Sequence, residues 1–346
     1  MSPRAWAAMV VAMAGAVSAT AACGRDAKRE VAPERVVTAP PPLANDAGPA
    51  ARADQAAASA PVAAACDPAP QPWRFPAVAR VIAVGDVHGD LGAVRHVLRA
   101  AGVVDAAGAW TGGATWVVQV GDVLDRGDDE QAILDWFERL ERDAAAAGGR
   151  FVWLLGNHEL MNAAGDLRYV TPGGFKDFED VPGLPLAKYA DVPAQARARV
   201  AALAPGGPYA KVMAGQNYTA VVGDTVYVHG GIRPGYAEGI PVDQPAARCW
   251  LDGAGTPPPQ ALTDSEGPLW DRSYALAEAD CPALERALAE LGVARMVVGH
   301  TVQPSGISSA CDGKVWRIDV GLAKLYGGPH QALELTAAGA TIIAAP

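Results

Sequence analysis

Five short apolar runs in this chain each end in a glycine-containing motif that carries aspartate, asparagine or histidine. The motifs are GDVHG at 85–89, GDVLDRG at 121–127, GNHE at 156–159, HGG at 229–231 and GHT at 299–301, and they hold four of the six histidines. A single polar residue at a strand end is usually a turn former or a helix cap, but five in succession indicate one shared site. Glycine lets the backbone turn sharply beside a ligand, and Asp, Asn and His bind Mn²⁺, Fe or Zn²⁺. The pattern therefore indicates metal chemistry at the ends of strands.

The apolar runs and the stretches between them predict alternating strands and helices. Helices are predicted over 91–101 and 129–147. Strands are predicted at 80–84, 115–120, 151–155, 218–222, 225–228, 295–298, 315–319, 331–335 and 341–344. Alternation in the first half and a strand-rich second half favour an α/β domain with two facing sheets. Residues 160–228 are rich in Gly, Pro and Tyr with few strand signals, and are predicted to form a lid-like or cap-like insertion.

The same motifs resemble those of the calcineurin-like metallophosphoesterases. Residues 121–128 read GDVLDRGD and residues 157–170 read NHELMNAAGDLRYV, which is similar to the Shewanella-like group of the phosphoprotein phosphatase family. The resemblance covers about Val81 to Tyr326. It implies a four-layer αββα sandwich with two facing mixed β-sheets, and an enzyme that hydrolyses phosphomonoesters.

Three features differ from the animal serine/threonine phosphatases. Leu155 stands where those enzymes have an arginine before GNHE, and residues 299–301 read GHT where they have RAH. Their toxin-binding SAPNY segment has no counterpart in this sequence. The resemblance therefore leaves open whether the substrates carry phosphotyrosine or phosphoserine/threonine, and it predicts insensitivity to toxins that need this segment.

The resemblance implies a centre of two divalent cations. The implied ligands are Asp86, His88 and Asp122 for one ion, and Asp122, Asn157, His229 and His300 for the other. Asp122 would bridge the ions. Mn²⁺ is the expected ion and Fe or Zn²⁺ are alternatives, because this donor set accepts all three. Two cations about 3.5–4 Å apart can bind a phosphoryl oxygen and lower the pKa of a bridging water, so the implied reaction is direct attack of the bridging hydroxide on phosphorus.

The resemblance also implies roles for residues that transfer a proton or bind phosphate. His158 would protonate the leaving oxygen, and Asp125 would hold the ring of His158 and raise its basicity. Arg126 would bind the phosphate bidentately. Two arginines, Arg272 in GPLWDR and Arg168 in GDLRYV, are candidates for a second phosphate contact. The alternative for both is an ion pair at the surface or in the cap.

The N-terminal part of the chain is predicted to export and tether the body. Residues 1–22 combine one basic residue with a long run of small and apolar residues, which is typical of an export signal. Thr20–Cys23 is similar to a lipoprotein processing site that would leave Cys23 lipidated, and ordinary signal cleavage is the alternative. Residues 23–72 are rich in Ala and Pro and are predicted to form a solvated linker. The body at 73–346 would then lie in the periplasm or at the outer envelope, or be secreted if no lipid is added.

The net charge of the chain limits the classes of partner that it can bind. The formal net charge of −10 argues against binding to nucleic acid, which needs clustered positive charge. Membrane contact is expected only through a lipid on Cys23. An anionic substrate is compatible with this charge, because a few arginines or a metal ion can make one pocket positive. The expected partner is a phosphoprotein or phosphopeptide.

Four cysteines follow Cys23, at positions 66, 249, 281 and 311, and their spacing fits no zinc knuckle. An even number permits disulfides in an oxidising compartment. The expected pair is Cys249 with Cys281, and free thiols are the alternative.

Three functions are compatible with the sequence. The first is a metal-dependent phosphoprotein phosphatase. The second uses the same metal site on a small phosphoester such as a dinucleoside polyphosphate. The third is a non-catalytic metal-binding envelope lipoprotein, whose signature would be a missing ligand, and every implied ligand is present.

Overall fold

The computed structural model describes Cys66 and residues 71–346. The predicted leader (1–22), Cys23 and nearly all of the predicted linker (23–72) lie outside these residues, so their assignments stay predictions. Within the described part of the chain, a search for a helix long and apolar enough to cross a bilayer finds none.

The described residues form eleven strands and seven α-helices. The strands are β1 (Arg74–Phe75), β2 (Arg80–Val84), β3 (Trp116–Gln119), β4 (Arg150–Trp153), β5 (Thr219–Val222), β6 (Thr225–Val228), β7 (Arg295–Val298), β8 (Ser308–Ala310), β9 (Val315–Arg317), β10 (Gln331–Thr336) and β11 (Gly339–Ala344). The helices are α1 (Leu91–Ala100), α2 (Glu130–Ala146), α3 (Asn157–Ala163), α4 (Arg197–Leu203), α5 (Pro208–Ala214), α6 (Ile240–Asp252) and α7 (Cys281–Leu291). All nine predicted strands are present within two residues of their expected bounds. Strands β1 and β8 were not predicted, because they are edge strands too short to carry a periodic pattern.

The first sheet has five strands in the order β11-β10-β2-β3-β4. Strands β2, β3 and β4 are parallel and are connected through α1 and α2, whereas β10 is antiparallel to both β2 and β11. Residues 81–84 are buried along their whole length, as expected for a parallel strand covered on both faces. Asp90 begins α1, because its Oδ1 accepts the Ala93 backbone N–H at 2.8 Å. The first three motifs therefore leave the sheet at one edge.

The second sheet has six strands in the order β1-β5-β6-β7-β9-β8. Strands β6, β7 and β9 are parallel, and the hairpin partners β5 and β8 make the sheet mixed. One hydrophobic core contains side chains from both sheets, among them Ile82, Val118, Val226 and Val297. The expected α/β fold with two mixed sheets is confirmed.

Residues 160–228 do not form one separate unit along their whole length. The segment contains α4 and α5, and it ends in the β5–β6 hairpin, which belongs to the six-stranded sheet. Leu203, Ala210 and Met213 of this segment are buried in the common core. The role of the segment as a lid stays a prediction.

The expected disulfide between Cys249 and Cys281 is wrong. Cys66 pairs with Cys249 across 183 residues, and Cys281 pairs with Cys311 across 30 residues, with Cα atoms 5.9 and 5.4 Å apart. A disulfide needs Cα atoms within about 7 Å of each other. The fold brings the start of α7 to the β8–β9 turn, and this proximity follows from sheet topology rather than from spacing along the chain.

Candidate active site

The polar motifs meet at the carboxyl ends of parallel strands from both sheets. The first sheet supplies Asp86 and His88 after β2, Asp122, Asp125 and Arg126 after β3, and Asn157 and His158 at the start of α3. The second sheet supplies His229 after β6 and His300 after β7. All of these side chains except the half-buried Arg126 are buried. In α/β folds this end of the strands is the usual place for a ligand.

Asp122 lies at the centre of the cluster. Its Oδ2 is 3.1 Å from His229 Nε2 and 3.8 Å from the Nε2 atoms of both His88 and His158. Two groups have ligand atoms within 4.8 Å of one another, namely His88, Asp122 and His158, and Asp122, His229 and His300. Asp122 belongs to both groups, which is the arrangement that a bridging carboxylate requires.

The remaining implied ligands surround His229 and His88. His229 Nε2 is 2.8 Å from Asn157 Oδ1 and 3.1 Å from His300 Nδ1. Asp86 Oδ2 is 3.9 Å from His88 Nε2, and both Asp86 carboxylate oxygens accept the backbone N–H of His300 at 3.1 Å. The structure thus brings together all six side chains that the sequence proposed as metal ligands.

The protonation behaviour of these groups fits bound cations. Burial, together with the charges of Asp319 and Asp122, raises the pKa of Asp86 well above its usual range. Burial would also raise the pKa of Asp122, but the charge of His229 and other imidazoles keeps that pKa well below its usual range. Burial lowers the pKa of His88 to about 3, so its ring is neutral, as a ligand must be. Crowded carboxylates together with the neutral ring of His88 are donors that suit Mn²⁺, Fe or Zn²⁺, and the residues fit the implied cation pair.

The backbone at the site is held in an uncommon conformation. Seven non-glycine residues in the described part of the chain have positive φ, and five belong to the site: His88 (48°), Asp122 (58°), Asp125 (67°), Arg126 (67°) and His300 (63°). For an L-residue this region costs about 1–2 kcal/mol. Such conformations persist where surrounding contacts fix them, commonly at functional sites.

Glu159 supplies contacts that fix the loop after β3. Its buried carboxylate accepts four backbone N–H groups: Gly156 at 2.7 Å, Asp122 at 2.9 Å, Val123 at 2.8 Å and Leu124 at 3.1 Å. The motif glycine also allows close approach, because a Cβ on Gly156 would lie 2.1 Å from Asp122 Oδ1. Glu159 therefore acts as a clamp that ties the Asp122 loop to the start of α3.

His158 and Asp125 form a hydrogen-bonded pair beside the cluster. His158 Nδ1 is 2.5 Å from Asp125 Oδ2, which leaves Nε2 directed toward Asp122. Asn162 Nδ2 donates to Asp125 Oδ1 at 3.0 Å, and Arg199 Nη2 donates to the same oxygen at 3.1 Å. Burial would raise the pKa of Asp125, but its hydrogen bond to His158 and the charges around it lower that pKa. Asp125 is thus poised as a carboxylate that orients the ring of His158.

Arg126 lies between two tyrosine rings at the edge of the cluster. Its Cζ is 4.8 Å from the ring centre of Tyr169 and 5.4 Å from that of Tyr326, within cation–π range. Its Nη1 is 3.3 Å from His88 Nε2. The guanidinium therefore sits where it can meet an anion that approaches the cluster.

The two candidates for a second phosphate-binding arginine occupy different surroundings. Arg272 donates from Nη1 to the His300 carbonyl at 2.6 Å and to Thr301 Oγ1 at 3.1 Å, so it lies directly behind an implied ligand. Arg168 pairs with Asp166 at 2.7 Å and is 40% exposed. Of the two, Arg272 lies beside the cluster.

Four supporting residues escaped the sequence analysis: Glu130, Glu159, Asn162 and Arg199. Glu159 stands three residues after Gly156, the position from which an acidic side chain reaches back to the backbone N–H at a helix start, and Asn162 stands four residues after His158, one helical turn away. These two spacings could have indicated both residues from the sequence. Arg199 and its ion pair with Glu130 carry no local signal, because the two residues are 69 positions apart.

Comparisons with known proteins agree with this geometry. Residues 79–304 match the family of calcineurin-like phosphoesterases. The chain is 41% identical over 286 residues to Shewanella-like protein phosphatase 2 of Arabidopsis thaliana, covering 72% of this chain and 73% of the relative. It is 27% identical over 265 residues to Shewanella-like protein phosphatase 1 of Plasmodium berghei, covering 72% and 70%.

Solved structures share the fold. A cold-active protein tyrosine phosphatase of a psychrophilic Shewanella species superposes with a TM-score of 0.63 at 23% identity, over 79% of this chain and 82% of that one. The family match covers more than half of the chain, and the Arabidopsis relative exceeds 30% identity over most of its length. The chain belongs to the calcineurin-like phosphoesterase family, whose members hydrolyse phosphoesters.

Proposed function

We propose that this protein is a metal-dependent phosphoprotein phosphatase that hydrolyses phosphotyrosine or phosphoserine/threonine monoesters. The observation that carries the proposal is the convergence of the six implied ligands around Asp122, with the His158–Asp125 pair beside them. The pair places His158 Nε2 3.8 Å from Asp122 Oδ2, beside the cluster, where the ring nitrogen can reach a leaving group. The names of the Arabidopsis and Plasmodium relatives support a protein substrate.

The proposed centre holds two divalent cations, with Mn²⁺ the expected ion and Fe or Zn²⁺ as alternatives. Asp86, His88 and Asp122 would hold one, and Asp122, Asn157, His229 and His300 the other. When bound, such ions supply positive charge for the phosphoryl oxygens and acidity for a water molecule. Burial of every ligand side chain keeps bulk water from competing for these positions.

The protein's own residues bind the phosphate and deliver a proton. Arg126 is placed to donate two hydrogen bonds to the phosphate, which its planar guanidinium favours. Asp125 accepts the Nδ1 proton of His158 and so presents Nε2 toward the cluster. A proton on Nε2 would pass to the oxygen of the leaving alcohol, a step that commonly contributes about 10²–10⁴-fold in rate.

The substrate class is tested by comparing kcat/KM among three substrates. The full chain, reconstituted with Mn²⁺, is assayed on a phosphotyrosine peptide, a phosphothreonine peptide and a dinucleoside tetraphosphate. We expect a peptide to be preferred, and the preferred peptide identifies the phosphorylated residue. Preference for the dinucleotide would replace the proposed substrate with a small phosphoester, and inactivity on all three would contradict the proposed function.

A matched pair of histidine variants completes the assay. His158→Asn removes the proposed proton donor, whereas His96→Asn changes a histidine on α1 that pairs with His330 at 3.0 Å, outside the cluster. We expect activity to fall only in the first variant, with metal content unchanged in both.

Export to an oxidising compartment is part of the proposal. The apolar leader supports it, and so do the Cys66–Cys249 and Cys281–Cys311 disulfides, since such bonds persist in oxidising environments. The mass of the N-terminal peptide of the protein expressed in a bacterial host tests this. A lipid-modified Cys23 would support the anchor, an unmodified N-terminus near it would support simple cleavage, and a retained Met1 would contradict export.

A further inference from the structure

Arg199 is a fully buried arginine that contacts four residues behind the candidate site. It comes from α4, and its side chain is 0% exposed. Nε donates to Asn162 Oδ1 at 2.8 Å, Nη1 donates to the Gly174 carbonyl at 2.9 Å, and Nη2 donates to Asp125 Oδ1 at 3.1 Å. The same guanidinium forms a two-point ion pair with Glu130. Burying an arginine costs desolvation free energy, and this cost is offset only where its hydrogen bonds are well satisfied.

The two oxygens of Asp125 are divided between different partners. Oδ2 meets His158 Nδ1, while Oδ1 accepts from Asn162 and Arg199. Fixing Oδ1 on two donors fixes the plane of the carboxylate, and that plane determines where the ring of His158 points. Arg199 also holds Asn162, so it acts on Asp125 directly and through a second donor.

Arg199 also keeps a competing carboxylate from disturbing Asp125. Glu130 is 0% exposed, and it accepts the Asp125 backbone N–H as well as the guanidinium. Burial raises the pKa of Glu130 to about 7 even though Arg199 opposes this effect. Without a cation between them, two buried carboxylates would repel each other, and one would take up a proton. This disturbance, together with the loss of the Arg199 donor to Oδ1, would weaken the hold of Asp125 on His158.

We propose that Arg199 is a positioning residue for proton transfer to the leaving group, acting from the 160–228 segment through Asp125 on His158. It does not touch substrate, since its side chain is buried on the far side of Asp125. The inference rests on the proposed function, in which His158 is the proton donor. It gives the 160–228 segment a definite task, because α4 supplies the residue that orients the donor.

The test uses the dependence of activity on the leaving group. A nitrophenolate that leaves readily needs little protonation, whereas phenolate, a stronger base, depends on the donor. We expect Arg199→Met to lower kcat for phenyl phosphate by about 10²-fold and kcat for 2,4-dinitrophenyl phosphate by less than about 3-fold, with KM nearly unchanged for both. Arg199→Lys, which keeps the charge but not the planar fork, should show the same dependence with a smaller loss.

Two further variants separate the possible outcomes. Arg197→Met is the control, because Arg197 lies on the same helix and, among the described residues, donates to the Val192 and Ala190 carbonyls outside the site. Activity on both substrates should be unaffected. Equal losses for both substrates in folded, metal-loaded Arg199→Lys and Arg199→Met, or no loss, would overturn the inference. His158→Asn separates failure of this inference from failure of the proposed function. If His158→Asn shows a steep leaving-group dependence and the Arg199 variants show none, the role of Arg199 is refuted and His158 remains the proton donor. If His158→Asn shows no leaving-group dependence, the proposed proton donor is itself refuted.

Discussion

Replacement of Glu159 by glutamine tests how the site is pre-organised. Glu159 is fully buried, and its two oxygens accept the backbone N–H groups of Gly156, Asp122, Val123 and Leu124. Glutamine has nearly the same shape, but one oxygen becomes an NH₂ group. Two of the four backbone N–H groups then face the new NH₂ group, which cannot accept a hydrogen bond. The other two face a neutral amide oxygen in place of a charged carboxylate oxygen.

The expected loss of stability follows from those contacts. A buried donor left without an acceptor costs about 1–3 kcal/mol, so two such donors lower the free energy of unfolding by about 2–6 kcal/mol. At about 2 °C per kcal/mol for a body of this size, Tm should fall by about 4–12 °C. In either orientation of the amide the Asp122 backbone N–H loses its charged acceptor, so metal affinity should fall together with stability.

The assay is urea unfolding monitored by tryptophan fluorescence. Metal-free protein is used so that metal binding does not add to the measured free energy of unfolding. Glu278→Gln serves as the control, since Glu278 is exposed and its replacement should leave unfolding unchanged. Metal content per chain is then measured after reconstitution. A loss of less than about 1 kcal/mol with full metal content would refute the clamp role of Glu159.

Three further predictions concern metal, redox state and pH. Chelation should abolish activity and lower Tm, and Mn²⁺ should restore both, because cations offset the repulsion between Asp86 and the neighbouring carboxylates; activity that survives chelation would contradict the site. Replacing Cys281 and Cys311 by serine should lower the free energy of unfolding by about 3–4 kcal/mol, since their bond closes a loop of 30 residues; an unchanged urea midpoint would argue against the bond. Burial raises the pKa of Glu141 from 4.5 to about 7. Between these pH values the folded protein keeps a proton that the unfolded chain releases, so the free energy of unfolding falls as pH rises from 4.5 to 7. Glu141→Gln should remove about 1–3 kcal/mol of that pH dependence, and equal slopes in both proteins would contradict the shift.

The sequence predicted most of the site because its chemistry lies next to its secondary structure. Asp86, Asp122 and His229 each follow a buried apolar run, and parallel strands place their carboxyl ends on one edge. A reader of the sequence can therefore infer that the motifs converge without knowing the structure. The strand bounds were predictable because buried strands read as continuous apolar runs, as around the fully buried Ile82 and Val297.

What escaped prediction depends on contacts between distant parts of the chain. Arg199 reaches Asp125 across 74 residues and Glu130 across 69 residues, and no periodic pattern marks either pair. The Cys66–Cys249 bond spans 183 residues, and spacing along the chain says nothing about such a pair. Long-range pairing is decided by the packing of the two sheets, which a local pattern does not encode.

The central claim is that Asp122 joins two cations into one hydrolytic site. It is tested most directly by measuring metal ions per chain and phosphopeptide hydrolysis in the same samples of wild type and Asp122→Asn. We expect two ions and activity in the wild type, and loss of both metal binding and activity in the variant. A variant that keeps two ions and full activity would contradict this role of Asp122.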